Sequence, residues 1–176
     1  MNLEVNIFQA LNGLVNQSGI LDWFIVFLGN YSAYLIVALA VWWIWREKNW
    51  RLQLYHSSFI ALAIIISRGI LTPIIRFLHS RPRPFELMDF NQLINHDAGA
   101  SLPSGHAAFF FALAFAIYFS GYRKRGVFLL VATLLMGASR VAGGVHWPLD
   151  IVAGLLTGLI GAVVVKSLLP RTLITK

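Results

Sequence analysis

Long uncharged runs, broken by short basic connections, set the pattern of this chain. A helix needs about 20 mostly apolar residues to cross a bilayer. Five stretches read as such spans, over about 23–45, 52–77, 105–122, 127–145 and 149–169. The first is uncharged, and its Gly29-Asn30 pair marks a place for a kink. The second contains Arg68 and Arg76, and the fourth has Arg140 near its end. Ahead of them, Leu3, Ile7, Ala10, Leu11, Leu14 and Val15 recur at helical spacing, while Asn2, Asn6, Gln9, Asn12 and Asn16 fill the other face. Residues 2–16 therefore predict an amphipathic helix, lying in the membrane interface or packed on the other helices. The start lacks the basic residues and long apolar core of a signal peptide. The expected fold is all-α: a polytopic membrane bundle of five transmembrane helices plus an N-terminal interfacial helix. It forms one domain over 1–176, with no internal repeat.

Composition strengthens this reading. Hydrophobic residues make up 58% of the chain and charged ones 12%, against roughly 45–50% and about 25% in soluble domains. A soluble fold of 176 residues could not hide so much apolar surface. There is no cysteine, which excludes disulfides, thiolate metal sites and a cysteine nucleophile. The net charge of +7 would point to nucleic acid in a soluble protein. Here it fits loops facing anionic lipid and an anion-binding site, and nucleic acid is not an expected partner.

The basic residues also orient the chain. Arg46-Glu47-Lys48-Asn49-Trp50-Arg51, Arg123-Lys124-Arg125 and a tail with Lys166, Arg171 and Lys176 fall on one side if there are five spans. The positive-inside rule makes that side cytoplasmic. The connections 78–104 and 145–148 then share the outer side with the N-terminal helix.

Most of the remaining polar chemistry gathers at those outer ends: Arg76, His79, Arg81, Arg83, His96, Ser104, His106, Arg140, His146 and Asp150. Charges at membrane depth are costly and usually face a polar interior. In "GASLPSGHAAFFF", Pro103 and Ser104 read as a helix start, with Ser as cap and Pro tolerated in the first turn. Gly105 allows close approach to the backbone, and free N–H groups at a helix start seat anions. His106 then faces that seat. On this stretch alone, the plainer reading is a capped helix with an ordinary interfacial histidine. In "SRVAGGVHWPLD", Gly143-Gly144 permit a tight reversal and Pro148 opens a helix. Asp150 can then reach back to His146, fixing its tautomer and leaving one ring nitrogen as a lone-pair donor. The plainer reading is a capping Asp beside a structural His. In "RFLHSRPRP", Arg76 and Arg83 flank a Pro-broken exit and suit phosphate. Arg81 reads as charge at the headgroup layer.

Together these residues resemble the three-part signature of the type 2 phosphatidic acid phosphatase superfamily, whose fold is shared with vanadium haloperoxidases. Lys, six residues, then Arg-Pro is matched by Arg76 and Arg83-Pro84, with Arg76 standing where Lys is usual. Pro-Ser-Gly-His is Pro103-Ser104-Gly105-His106. Ser-Arg, five residues, His, three residues, Asp is Ser139-Arg140, His146 and Asp150. The "RPRPF" and "NHDAGASLPSGH" stretches are similar to bacitracin-resistance-type undecaprenyl-diphosphate phosphatases. The resemblance implies that His146 attacks phosphorus and forms a phosphohistidine, with Asp150 holding it. His106 protonates the leaving oxygen and later activates water. Arg76, Arg83, Arg140, Ser104 and Gly105 bind the phosphate oxygens. No metal or other cofactor is implied, and of seven carboxylates only Asp150 lies in the motif set.

Substrate class follows from a different argument. A site at outer helix ends suits an amphiphile whose phosphate sits at headgroup level. Phe85 to Ile94 either guides its tail or covers the helix ends. The expected activity is an extracytoplasmic lipid phosphatase or diphosphatase in the cell membrane, acting on undecaprenyl diphosphate. Phosphatidylglycerophosphate and phosphatidic acid are the alternative substrates. The rivals outside catalysis are an anion or lipid transporter, which also uses buried arginines, and a scaffold. Neither needs a His–Asp pair beside a phosphate seat.

Overall fold

The computed structural model describes residues 3–169, and every regular element among them is helical. An N-terminal helix α1 (Leu3–Asn12) precedes α2 (Gly19–Trp45) and α3 (Trp50–Leu78). A single turn α4 (Pro84–Leu87) interrupts a long connection. Then come α5 (Gly105–Phe119), α6 (Arg123–Ala142) and α7 (Pro148–Leu168). Asn2, Arg171 and Lys176, assigned above to α1 and to the basic tail, lie outside the described residues.

Among the described residues, four helices (α2, α3, α6 and α7) are long and apolar enough to cross a membrane. The stretch read as the third span is shorter than expected. Its helix ends at Phe119 and has 15 residues, about 22 Å at 1.5 Å per residue, against a hydrocarbon core of about 30 Å. Its neighbours explain why it need not be longer. Ala107, Ala108, Phe111, Ala112, Ala114 and Ala116 are all buried, so α5 is enclosed by other helices along most of its length. By contrast, Trp23, Tyr34, Val41, Leu54, Ile70, Leu135, Val152 and Ile160 expose large apolar surfaces on the four longer helices.

Small residues let α7 lie directly on α5. A methyl group added at Gly158 would come within 2.7 Å of the Ala112 backbone nitrogen, and one at Gly154 would strike the Ala107 side chain. Close small-residue contacts of this kind replace the hydrophobic effect as the glue between helices in lipid. Gly161 presses α7 against α3 in the same way, 2.6 Å from the Ala63 carbonyl oxygen for an added methyl.

Two of the long helices contain a π-helical turn, Phe27–Tyr31 in α2 and Ile65–Leu71 in α3. The first falls on the expected Gly29-Asn30 kink. Such turns free carbonyl groups from the regular ladder.

α1 resolves the choice left open by its sequence pattern. Phe8, on neither of the predicted stripes, is 1% exposed and packs on Phe90 and Trp147, with ring centroids 5.0 and 5.2 Å away. Leu3 and Ile7 remain exposed. The helix therefore docks on the bundle through one side and presents apolar residues outward through another. The connection after α4 is likewise a cover. Ile94 is buried against Gly143, and Phe90 fills the space above Gly144, whose φ of +84° makes the tight reversal.

Gly158→Val places two methyl groups where the α5 backbone already sits. It should lower the thermal unfolding midpoint in detergent, at a cost of about 1–3 kcal/mol for overpacking. Gly19→Ala, which meets open space, should not. Equal midpoints for both variants would show that α5 and α7 are not in backbone contact.

Candidate active site

The start of α5 is built as its sequence proposes, shifted by one position. Ser104 is the cap, its Oγ accepting from the Ala107 N–H at 3.4 Å, so Pro103 precedes the helix and does not open it. The Ser104 N–H in turn donates to the backbone carbonyl of Asp150 at 3.0 Å. The first turns of α5 and α7 are thereby joined.

Pro148 opens α7 and puts Asp150 in its first turn. The Asp150 carboxylate is fully buried. Its Oδ2 accepts from the Trp147 N–H at 2.8 Å and lies 3.2 Å from His146 Nδ1. An ionised carboxylate can only accept, so Nδ1 carries the proton and Nε2 keeps its lone pair. His146 is 1% exposed. Burial, followed by the charges of Arg140, Arg83, His96 and Arg76, pushes its pKa well below the ordinary histidine value. The imidazole is therefore neutral at neutral pH, the form a nucleophile or base requires.

Each of the three predicted phosphate-binding arginines is held from one side. Arg76 donates from Nη2 to the Pro103 carbonyl at 3.0 Å, and Arg83 from Nη1 to the Val145 carbonyl at 3.0 Å. Arg140 donates from Nη1 to the Gly29 carbonyl at 3.0 Å and to Asn30 Oδ1 at 3.4 Å. The π-turn of α2 supplies both of those acceptors. In all three guanidinium groups the Nε atom is buried and without a protein partner among the described residues. Buried polar groups are nearly always paired, so three such donors at one end of the bundle describe a seat for an anion.

His106 stands in the first turn of α5, within electrostatic reach of Arg140, His146 and His96. His96 lies over the cluster, its ring centroid 6.4 Å from that of His146. Beside it a cavity of about 490 Å³ is lined by Gln92, Asn95, His96 and Asp97. Among the described residues no group of three or more His, Asp or Glu side chains is arranged to hold a metal ion.

Two residues that the sequence pattern passed over join this cluster. Arg81, read above as headgroup charge, instead donates to Glu4 at 2.7 Å and lies 3.4 Å from Asp150 Oδ1. It also sits over the Trp147 ring, 5.0 Å from its centroid. Glu4 is the acidic residue of the α1 first turn and also accepts from the Leu149 N–H at 3.2 Å. The only sequence signal for either was the arginine's place directly before Pro82, in the same short stretch as Arg83. The motif set is thus brought together: Arg76, Arg83, Ser104, Gly105, His106, Arg140, His146 and Asp150 share one end of the bundle. His79 is exposed there and joins no part of it.

Comparison with known proteins finds relatives over most of the chain. The family model of the PAP2 superfamily matches residues 57–173. The chain is 34% identical over 171 residues to the bacitracin transport permease protein BcrC of Bacillus licheniformis, a match covering 96% of this chain and 82% of that one. It is 33% identical over 162 residues to the undecaprenyl-diphosphatase BcrC of Bacillus subtilis, covering 91% and 80%. Among solved structures, Aquifex aeolicus LpxE superposes with a TM-score of 0.77 at 25% identity, covering 95% of this chain and 96% of that one. A PAP2-type phosphatidylglycerolphosphate phosphatase from Bacillus subtilis shares the fold, with a TM-score of 0.61 at 21% identity and coverage of 100% and 90%.

A histidine-resolved NMR titration checks the electrostatics. The folded state holds His146 neutral, while an unfolded chain protonates it near 6.5. Its contribution therefore leaves stability intact above that pH and erodes it below, where the unfolded state binds the extra proton. His146 should remain neutral at pH 6. A titration midpoint at or above 6.5 would contradict the buried, arginine-flanked geometry.

Proposed function

The chain belongs to the PAP2 superfamily, and from that premise we propose that it is a membrane lipid diphosphatase acting through a phosphohistidine. The observation that carries the reading is the set of three buried guanidinium Nε donors converging with the His146–Asp150 pair. The relative named an undecaprenyl-diphosphatase, matched over most of both chains, favours undecaprenyl diphosphate as substrate over phosphatidylglycerophosphate or phosphatidic acid.

In this mechanism the Nε2 lone pair of His146 attacks phosphorus in line. The bond to the leaving oxygen breaks, and its electron pair goes to that oxygen, which His106 protonates. Asp150 keeps the ring in the reactive tautomer and balances the charge it gains. Arg76, Arg83 and Arg140 meet the equatorial oxygens together with the Ser104–Gly105 helix start, where negative charge builds up. A water activated by His106 then hydrolyses the phosphohistidine and releases phosphate. The arginines supply the neutralisation that Mg²⁺ provides elsewhere, so the reaction needs no metal.

Topology follows from taking α5 as a fifth pass. The basic connections around Lys48 and Lys124 then lie in the cytoplasm and the site faces outward. A cysteine placed at Asn91 should react with an impermeant thiol reagent in intact cells, and one at Asn49 should not. The opposite labelling would put the site in the cytoplasm.

The decisive assay is phosphate release by purified protein, with excess chelator, from undecaprenyl diphosphate, phosphatidylglycerophosphate and phosphatidic acid. Release should persist under chelation and vanadate should block it. A transporter, the activity named for the Bacillus licheniformis relative, would release none.

Mutation separates the two histidines. His146→Ala should abolish turnover of every substrate, because no other group is placed to attack. His106→Ala removes proton transfer, worth about 10²–10⁴-fold. It should retain a larger share of activity on p-nitrophenyl phosphate, whose leaving group is already a stable anion, than on a lipid monophosphate. Equal losses on both esters would remove the acid assignment.

A further inference from the structure

Arg68 has no place in the motif set, yet it has an unusual setting. It lies in the π-turn Ile65–Leu71 of α3, ten residues, or about 15 Å at 1.5 Å per residue, from the site end of that helix at Leu78. A guanidinium at such depth is costly unless something pairs with it. Arg68 is exposed, and no hydrogen bond or ion pair to it occurs among the described residues. Its side chain is not turned away from the site. A methyl group built on Gly105 would lie 2.7 Å from Arg68 Nε and 3.1 Å from its Cζ. The cation therefore rests against the glycine of the anion-binding helix start, a position only glycine leaves open. The preceding residue fixes the level, with Ser67 Oγ donating to the Ala108 carbonyl of α5 at 2.9 Å.

Arg68 also belongs to a cavity of about 330 Å³ between α2, α3 and α5. Its polar end is made by Arg68, Gly105, His106 and Asn30. Its apolar walls include Val37 and Phe109, and Tyr34 at its side is 75% exposed. The cavity thus runs from His106 toward the lipid-facing surface. His106 is the residue assigned to the leaving oxygen, so whatever leaves must leave into this space.

From this we infer that Arg68 binds the tail-side phosphate of a lipid diphosphate, and so selects diphosphates over monophosphates. The inference rests on the phosphatase reading above. When His146 attacks the terminal phosphorus, the bond to the bridging oxygen breaks and its electron pair stays with the lipid monophosphate. That leaving group carries its new charge beside His106, in the cavity that Arg68 also lines. A lipid monophosphate offers only an alcohol oxygen at the same point, and Arg68 has no anion to meet.

The test compares Arg68→Gln with wild type on a chain-matched pair, farnesyl diphosphate and farnesyl monophosphate. In the variant kcat/KM for the diphosphate should fall about 10²-fold, as for loss of one transition-state donor, with the monophosphate changed by less than about threefold. Retained monophosphate activity shows that the variant folds, and Arg68→Lys should recover part of the loss. Equal losses on both substrates, or no loss on either, would overturn the inference. A second measurement uses nonhydrolysable farnesyl diphosphonate and farnesyl phosphonate in a binding titration. Arg68→Gln should weaken only the diphosphonate, and unchanged affinity for it would also overturn the assignment. Wild-type protein that bound both analogues but hydrolysed neither lipid would sink the phosphatase reading, leaving the affinity ratio to decide Arg68.

Discussion

A single buried carboxylate holds this end of the molecule together. Asp150 caps its own helix through the Trp147 N–H, holds His146 through Nδ1 and draws Arg81 to its other oxygen. Its backbone carbonyl accepts from Ser104, the cap of α5. Through Arg81 the connection reaches Glu4 and therefore α1. An ion taken out of water costs several kcal/mol unless its lone pairs are satisfied. Those partners are therefore obligatory, and in supplying them the fold brings four separate segments of the chain into register around one residue.

The arginines follow a related logic. Each is anchored by a terminal nitrogen to a backbone carbonyl far away in sequence, which fixes its direction, while its Nε stays buried and without a partner among the described residues. Backbone carbonyls make good anchors because they carry no full charge to cancel the guanidinium. The carbonyl that serves Arg140 belongs to Gly29, within the π-turn of α2. A lipid-facing helix therefore also supplies the anchor of a charge in the interior.

Much of this was readable in the sequence, for definite reasons. The motif residues sit at helix ends, and caps, prolines and short i,i+4 spacings are local features that sequence records directly. Hydropathy also located the four long helices, although α2 and α6 each begin four residues earlier than their apolar runs suggest. The length and burial of α5 did not follow from it. Hydropathy scores a residue such as Phe110 or Ala112 the same whether it faces lipid or another helix, so the pattern does not tell an enclosed helix from a lipid-facing one. The Glu4–Arg81 pair was hidden for another reason. It joins residues 77 positions apart, and no spacing rule links an interfacial helix to a loop. Phe8 escaped notice because it faces the bundle from between the two stripes of α1.

The burial of α5 bears on how the protein tolerates different membranes. Bilayers vary in thickness, and helices in contact with lipid respond by tilting or by deforming the lipid around them. α5 is shielded by α3, α6 and α7, so changes in acyl length or sterol content act on its neighbours first. The helix start at Ser104 is pinned to α7 by the Asp150 carbonyl and not to any lipid plane. The fold thus behaves as a sleeve around a short shaft. The sleeve adapts to the host membrane, while the shaft keeps its working end at a fixed offset from the machinery of α7.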